Sequence, residues 1–119
     1  MPEDTLKQLL QDTLPYQAAV ARNLGLDLVM YEGGSHVVGY GPAVEDAELT
    51  EFFIALNFSD EMGLLYQRLL SGWAGLSKAP FNAFVDVYRP NKWGSWGALR
   101  HLWDDNPRWR ALAEGCGTC

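Results

Sequence analysis

A carboxylate followed at once by paired glycines is the sharpest chemical feature of the sequence. Glu32 follows the apolar segment 28–31 and precedes Gly33, Gly34 and, two residues later, His36. A carboxylate at the carboxyl end of a buried parallel strand lies where barrel enzymes hold catalytic groups. Paired glycines let the backbone turn sharply and approach a ligand closely. Glu32 is therefore a candidate catalytic residue, although an isolated motif of this kind more often marks a plain strand end with a solvated glutamate.

A second group of aromatic and polar side chains lies between residues 86 and 97. Trp93 and Trp96 are separated only by Gly-Ser, and flat indole rings can stack on the apolar C–H faces of sugars. The neighbouring side chains that could bind sugar hydroxyls are Asp86, Tyr88, Asn91 and Lys92. The segment predicts a saccharide-binding surface. The open alternative is that both tryptophans cap the hydrophobic core, because tryptophan is highly buried on average.

Composition narrows the class of protein that carries these residues. The chain has 119 residues, a net charge of −6 and 48% hydrophobic residues, which fits one domain or part of one and excludes a wholly disordered chain. Residues 1–60 carry 10 acidic and 2 basic side chains (net −8), and residues 61–119 carry 5 acidic and 7 basic (net +2). The basic residues are spread out rather than clustered, so we expect no nucleic-acid partner.

The sequence offers no signal for a membrane or a compartment. It lacks an apolar run of about 18 residues, so we expect no membrane partner. The acidic start lacks the apolar core of a secretory signal. The location is therefore left open, and an extracellular one is compatible with a longer protein.

Both cysteines belong to a CxxC motif, Cys116 to Cys119, at the end of the sequence. A zinc site needs two further ligands, and His36 and His101 are far away in the sequence. A redox pair normally opens a helix, whereas we expect residues 114–119 to form a flexible tail. We therefore predict no metal site and no cofactor.

The elements that must position these residues alternate between helices and short apolar strands. Apolar residues at three- and four-residue spacings predict the helices, and β-branched or aromatic runs predict the strands. The first helix should be interrupted at Pro15, the second should restart at Ser59, and the last should break at Pro107. The predicted order is helix, strand, helix, strand, helix over residues 3–24, 26–31, 48–76, 81–88 and 98–113.

This alternation is typical of an α/β fold with parallel strands. Residues 37–79 are long enough for the crossover that a parallel pair requires. Two strands cannot form a sheet covered on both faces, so we expect an incomplete fold. The strand residues expected to be buried are Leu28, Val29, Met30, Ala83, Val85 and Val87.

Together, the two motifs resemble a known family. The run Tyr-Glu-Gly-Gly-Ser-His at 31–36 resembles the end of the seventh strand of clan-A-type (β/α)8 glycoside hydrolases, and residues 58–66 resemble the helix start that follows. Residues 84–99 are similar to the eighth strand and its loop. The resemblance covers residues 5–112 and implies that residues 1–119 form a single partial domain. That domain would correspond to the last quarter to third of a TIM barrel, from helix six to helix eight.

The resemblance also implies a chemistry. Glu32 would be the nucleophile in retaining hydrolysis of an O-glycosidic bond, and Trp96 would form the platform under the sugar. His36 would help to shape the site. Together with the residues singled out by their chemistry, the candidate substrate-binding residues are Tyr31, His36, Asp86, Tyr88, Asn91, Lys92, Trp93 and Trp96. The family's general acid/base stands on a fourth strand that this chain lacks, and nothing in the resemblance gives Asp86 that role.

The resemblance also implies which partners to expect. They are a poly- or oligosaccharide, together with the remaining barrel segments or a second copy of the chain. We expect the chain alone to be inactive. Two alternatives stay open: a non-catalytic carbohydrate-binding protein, and a self-associating small α/β protein without a sugar site.

Overall fold

A computed structural model describes residues 2–115, which form helices joined by long irregular segments. A π-helical turn, Leu9–Thr13, joins the first two α-helices, and a short 3-10 helix, Gly41–Glu45, precedes the third. Within residues 2–115 there are five α-helices: α1 (Pro2–Gln8), α2 (Leu14–Asn23), α3 (Ala47–Asn57), α4 (Asp60–Leu76) and α5 (Pro107–Gly115). No helix in residues 2–115 is long and apolar enough to cross a bilayer.

The predicted α/β fold is wrong, because residues 2–115 contain no β-strand. Near the two segments expected to be strands there is one isolated parallel bridge, between Gly33, just beyond the first segment, and Ala83. There the Gly33 N–H donates to the Asn82 carbonyl at 2.9 Å, and the Phe84 N–H donates to the Gly33 carbonyl at 3.0 Å. A single bridge is not a sheet. The order helix, strand, helix, strand, helix and the partial TIM barrel are therefore corrected to a mostly helical fold.

The burial predicted for the strand residues is wrong as well. Val29 is 68% exposed and Val87 is 36% exposed. The others, Leu28, Met30, Ala83 and Val85, are only half-buried. A strand becomes buried when neighbouring strands and covering helices supply a surface against which it packs. The β-branched pattern alone does not supply that surface.

The helical predictions fare better at the amino-terminal end. The expected helix over residues 3–24, interrupted at Pro15, is confirmed as α1, the π-helical turn and α2. Pro15 lies in the first turn of α2 and lacks the N–H that would continue the hydrogen bonding of the preceding turn. The wider π-helical turn directly precedes it.

Side-chain caps delimit α3 and α4. The Asp46 carboxylate accepts a hydrogen bond from the Leu49 N–H at 3.0 Å, and the Ser59 hydroxyl accepts one from the Met62 N–H at 3.2 Å. Each cap satisfies a backbone donor that the first helical turn leaves free. The predicted restart at Ser59 is therefore confirmed.

The hydrophobic core lies where α4 packs against α5. Its buried members are Met62, Tyr66 and Ala111, and Leu56, Leu65 and Leu112 pack around them. The helices approach closely at Gly63, where an added Cβ would lie 2.8 Å from the Pro107 Cβ. Burial of these apolar side chains fixes the two helices against each other.

The predicted last helix, 98–113, is wrong over residues 98–106, because α5 begins only at Pro107. Proline disfavours helical geometry in the residue before it. Asn106 instead caps α5, since its side-chain oxygen accepts a hydrogen bond from the Trp109 N–H at 2.9 Å. Glu114 and Gly115 lie within α5 rather than in a tail, and Cys116 and Cys119 lie outside the described residues.

Candidate functional site

The two sequence motifs meet at one cavity. The bridge between Gly33 and Ala83 brings residues 32–36 beside residues 84–96. The cavity between them has a volume of about 280 Å³, at the small end of the range for small-molecule sites. It is lined by Glu32, Gly33, Gly34, Ser35, His36, Phe84 and Trp96.

Aromatic rings form one wall of this cavity. The Trp96 ring centroid lies 5.5 Å from that of His36, 6.2 Å from that of Phe84 and 5.8 Å from that of Tyr88. The rings of Phe84 and Tyr88 meet Trp96 edge to face, an arrangement that aromatic quadrupoles favour. Trp96 is half-buried, so this wall is a packed surface rather than a loose side chain.

A hydrogen bond fixes the orientation of the His36 ring. Its Nε2 atom lies 3.0 Å from the Trp93 carbonyl oxygen. Because a carbonyl oxygen only accepts, Nε2 carries the hydrogen, and in the neutral ring Nδ1 is the acceptor. His36 thus links the two motifs directly.

The paired glycines are required by the protein's own packing. An added Cβ at Gly33 would lie 2.7 Å from the Phe81 ring, and one at Gly34 would lie 2.8 Å from the Tyr66 hydroxyl. Gly34 also has a φ of +146°, a conformation that side chains disfavour. The close approach predicted toward a ligand is therefore made toward Phe81 and Tyr66.

A buried arginine lies behind the cavity wall. Arg108 of α5 is 1% exposed, and its Nη1 donates to the Ser35 hydroxyl and to the Asn57 side-chain oxygen, both at 3.2 Å. Its Nη2 donates to the Gly97 carbonyl. Burial lowers the pKa of the Arg108 guanidinium from its ordinary value, because removal from water penalises the charged form.

Ser35 is the centre of this hydrogen-bond network. Its N–H donates to the Tyr66 hydroxyl at 2.9 Å, and its own hydroxyl donates to the Asn57 side-chain oxygen at 2.6 Å. The Asn57 amide donates in turn to the Phe53 carbonyl at 2.7 Å. The cavity loop is thereby tied to α3, α4 and α5.

Three of the predicted residues in the second motif organise a turn beside the cavity. The Asn91 side-chain oxygen accepts a hydrogen bond from the Trp93 N–H at 2.8 Å. Lys92 pairs with Glu45 at 2.6 Å, and its ammonium lies 5.0 Å from the centroid of the Trp93 ring. Trp93 is exposed, so it does not cap the core.

Two other predicted residues, Tyr31 and Asp86, do not line this cavity. Asp86 lines a different cavity, of about 370 Å³, together with Phe81 and Trp109, and its carboxylate accepts a hydrogen bond from the Val87 N–H at 2.7 Å. The Tyr31 side chain is exposed to solvent. The structure therefore unites Glu32, His36, Trp96 and, by ring contact, Tyr88.

Several residues of the site were missed by sequence reasoning. They are Ser35, Asn57, Tyr66, Phe84 and Arg108. No sequence feature predicted the burial of Arg108, because a helical arginine gives the same local pattern whether it is buried or exposed. Phe84 belonged to a predicted strand, in which neighbouring side chains such as Phe84 and Val85 lie on opposite faces. The sequence did not show which of the two faces the cavity would occupy.

The chemistry of the cavity is that of one carboxylate beside aromatic rings. Among residues 2–115, Glu32 is the single carboxylate in the lining. Retaining glycoside hydrolysis uses two carboxyl groups about 5–5.5 Å apart. Nor, within that range, do three or more His, Cys, Asp or Glu side chains converge as ligands for a metal ion. The arrangement can bind a polar ligand and offer one nucleophilic oxygen.

Comparison with known protein families, curated proteins and solved structures finds no match for this chain.

Proposed function

We propose that this protein binds a saccharide in the cavity between Glu32 and Trp96, as the sugar-binding part of a retaining glycoside hydrolase-like protein. The observation that supports the proposal is the convergence of Glu32, His36 and Trp96 on one cavity from two segments about 60 residues apart. Carboxylate oxygens accept hydrogen bonds from sugar hydroxyls, and aromatic rings stack on C–H faces. A site of this size fits about one sugar ring.

Within this proposal Glu32 is the nucleophile. Its carboxylate oxygen attacks the anomeric carbon, the bond from that carbon to the leaving oxygen breaks, and the electron pair leaves on that oxygen. An ordinary glycoside needs a general acid to protonate the leaving oxygen. No second carboxylate lines the cavity among the described residues, so we expect the chain alone not to hydrolyse such substrates.

Saccharide binding is tested by calorimetric titration of the chain with a panel of oligosaccharides. We expect Trp96→Ala to weaken binding by about tenfold or more, since stacking on an aromatic ring is worth about 0.5–1.5 kcal/mol beyond its buried area. Trp103→Ala is the matched control, because Trp103 is 87% exposed and lies outside the cavity lining. Equal losses in the two variants would contradict the assignment of the site.

The nucleophile is tested with 2-deoxy-2-fluoroglycosyl fluorides of several sugar configurations. Fluoride leaves without protonation, so the missing general acid does not prevent the first step. Attack by Glu32 forms a C1–O bond, breaks the C1–F bond and adds one fluoroglycosyl group to the protein mass. We expect peptide mass spectrometry to locate that group on Glu32, with none on the Glu32→Gln variant and an unchanged yield for Asp86→Asn.

A second candidate function is carbohydrate binding without catalysis. The observation that favours it is the single carboxylate in the lining among residues 2–115. The same two experiments separate the candidates. Saccharide binding without any fluoroglycosyl adduct supports the non-catalytic protein, and an adduct on Glu32 supports the hydrolase-like one.

A further inference from the structure

We propose that Arg108 is a positioning residue, whose guanidinium holds the cavity loop, residues 33–36, in the conformation that presents His36 to Trp96. The proposal rests on the proposed function only for its effect on saccharide binding. The position of His36 is measurable without any ligand.

The guanidinium joins three separate parts of the chain. From α5, its donors reach the Ser35 hydroxyl in the cavity loop, the Asn57 side chain at the end of α3, and the Gly97 carbonyl in the second motif. Arginine presents five N–H donors in a fixed planar fork. A lysine ammonium at the end of a flexible chain cannot reach these three acceptors in the same geometry.

Packing alone does not account for a charged side chain at this place. Arg108 is almost fully buried, and its Nε atom has no hydrogen-bond partner among the described residues. Its charge lies against the rings of Phe58, at 4.7 Å, and Tyr66, at 5.6 Å. Even buried ion pairs are often replaced by apolar residues of similar volume without loss of stability, so a buried charge is weak evidence for a stabilising role. We infer that the arginine serves to fix the loop rather than to stabilise the core.

The connection from Arg108 to the site passes through Ser35. Arg108 and Asn57 both contact the Ser35 hydroxyl, and the Tyr66 hydroxyl accepts the Ser35 N–H. The next residue along the chain is His36, whose ring is placed against Trp96 and the Trp93 carbonyl. A shift of Ser35 therefore moves the histidine ring relative to the aromatic wall.

The experiment follows the ring signals of His36 by ¹H–¹³C NMR in Arg108→Lys and Arg108→Met. The chain has two histidines, so the His101→Gln variant assigns the spectrum. We expect the His36 signals to shift in both Arg108 variants while the helical circular dichroism stays that of the wild type. Arg110→Lys is the control, because Arg110 lies on the same helix but is exposed and pairs with Asp105 at 2.8 Å.

A double-mutant cycle tests whether Ser35 carries the effect. We expect Ser35→Ala to shift the His36 signals in the same direction, and Arg108→Lys with Ser35→Ala to shift them no further than Arg108→Lys alone. Saccharide affinity should fall in Arg108→Lys, because a displaced His36 changes the cavity lining that the saccharide contacts.

Unchanged His36 signals in a folded Arg108→Lys variant would overturn the proposal. If neither Arg108 variant folds, Ser35→Ala decides: shifted His36 signals support positioning, and unmoved signals overturn it. Shifted signals in a chain whose wild type binds no saccharide support the positioning role and overturn the proposed function, so the two failures are distinguishable.

Discussion

The helical frame of α4 and α5 and the irregular segments around the cavity are held together in different ways. In the frame, apolar side chains such as Met62 and Ala111 are buried against each other. Around the cavity, isolated bridges and side-chain hydrogen bonds fix the backbone: Ser77 donates to the Leu28 carbonyl at 2.6 Å, and Asn82 donates to the Tyr31 carbonyl. The frame depends on buried area, and the cavity depends on a few polar side chains.

The two regions should also differ in local stability. Local stability follows the number of buried apolar contacts, so the cavity segments should open more readily than the α4–α5 core. Arg108 of α5 and Tyr66 of α4 link the two regions, since both form a hydrogen bond with Ser35. The position of the candidate site is therefore set by residues of the frame.

Truncation of the core should have the largest effect on the free energy of unfolding. We expect Met62→Ala to lower the free energy of unfolding by about 2–5 kcal/mol, because it leaves a cavity between α4 and α5. Val29→Ala, in the exposed irregular segment that precedes the cavity loop, should lower it by less than about 0.5 kcal/mol. Urea unfolding measures both values. Equal losses would show that the two regions share one core.

An ion pair in the irregular segment before α5 should give the next largest effect. Arg100 donates hydrogen bonds to both Asp104 carboxylate oxygens, at 2.7 and 2.8 Å, and these bonds hold the pKa of Asp104 well below its ordinary value of 3.8. We expect Asp104→Asn to cost about 1–3 kcal/mol at pH 7, because the Asp104 side chain is almost fully buried. Asp105→Asn, which removes an exposed partner of Arg110, should cost under about 1 kcal/mol.

The pH dependence of this pair has a defined sign. A depressed pKa stabilises the folded chain at pH values above the ordinary pKa of Asp104, and the stabilisation is lost as the pH falls below that value toward the pKa of the folded state. The difference in unfolding free energy between wild type and Asp104→Asn should therefore be constant from pH 7 to about pH 5 and shrink below about pH 4. A difference that grows on acidification would contradict the assignment.

Two glycines provide a matched test of the same contrast. We expect Gly34→Ala to destabilise the chain by about 1–2 kcal/mol, because its φ is positive and an added Cβ would contact the Tyr66 hydroxyl. Gly75→Ala should stabilise it by about 0.5 kcal/mol, since Gly75 lies in α4 and nothing in the described part of the chain is within 4 Å of an added Cβ. Thermal unfolding of both variants measures the direction of each change in stability, and changes in the same direction would contradict the difference between the two regions.

The smallest effect on the free energy of unfolding should come from a substitution in the exposed apolar segment that precedes the cavity loop. Leu26, Val29 and Tyr31 are exposed within six residues of one another, and exposed apolar patches favour association. We expect the wild type to self-associate in sedimentation velocity and Val29→Lys to reduce that association with little change in unfolding free energy. A monomeric wild type at the same concentration would rule out association through this surface.

The sequence alone predicted the helices at their breaks and caps. Pro15, Ser59 and Pro107 act within one helical turn, so their effect is readable from neighbouring residues. The segments 26–31 and 81–88 were predicted wrongly as strands. Their pairing and burial depend on partners distant in the sequence, which their own residues do not specify.

For the candidate site too, some features were predictable from the sequence and others depended on the tertiary structure. Residue types pointed to Glu32, His36 and Trp96, because a carboxylate, an imidazole and an indole have recognisable chemistry wherever they lie. The tertiary structure alone brought Trp96 against His36, placed Asp86 in a different cavity and buried Arg108 behind Ser35. Sequence determines the chemistry that each side chain carries and the local turns of its helix. The contacts between distant segments arise only when the packing of α4 against α5 fixes where those segments run.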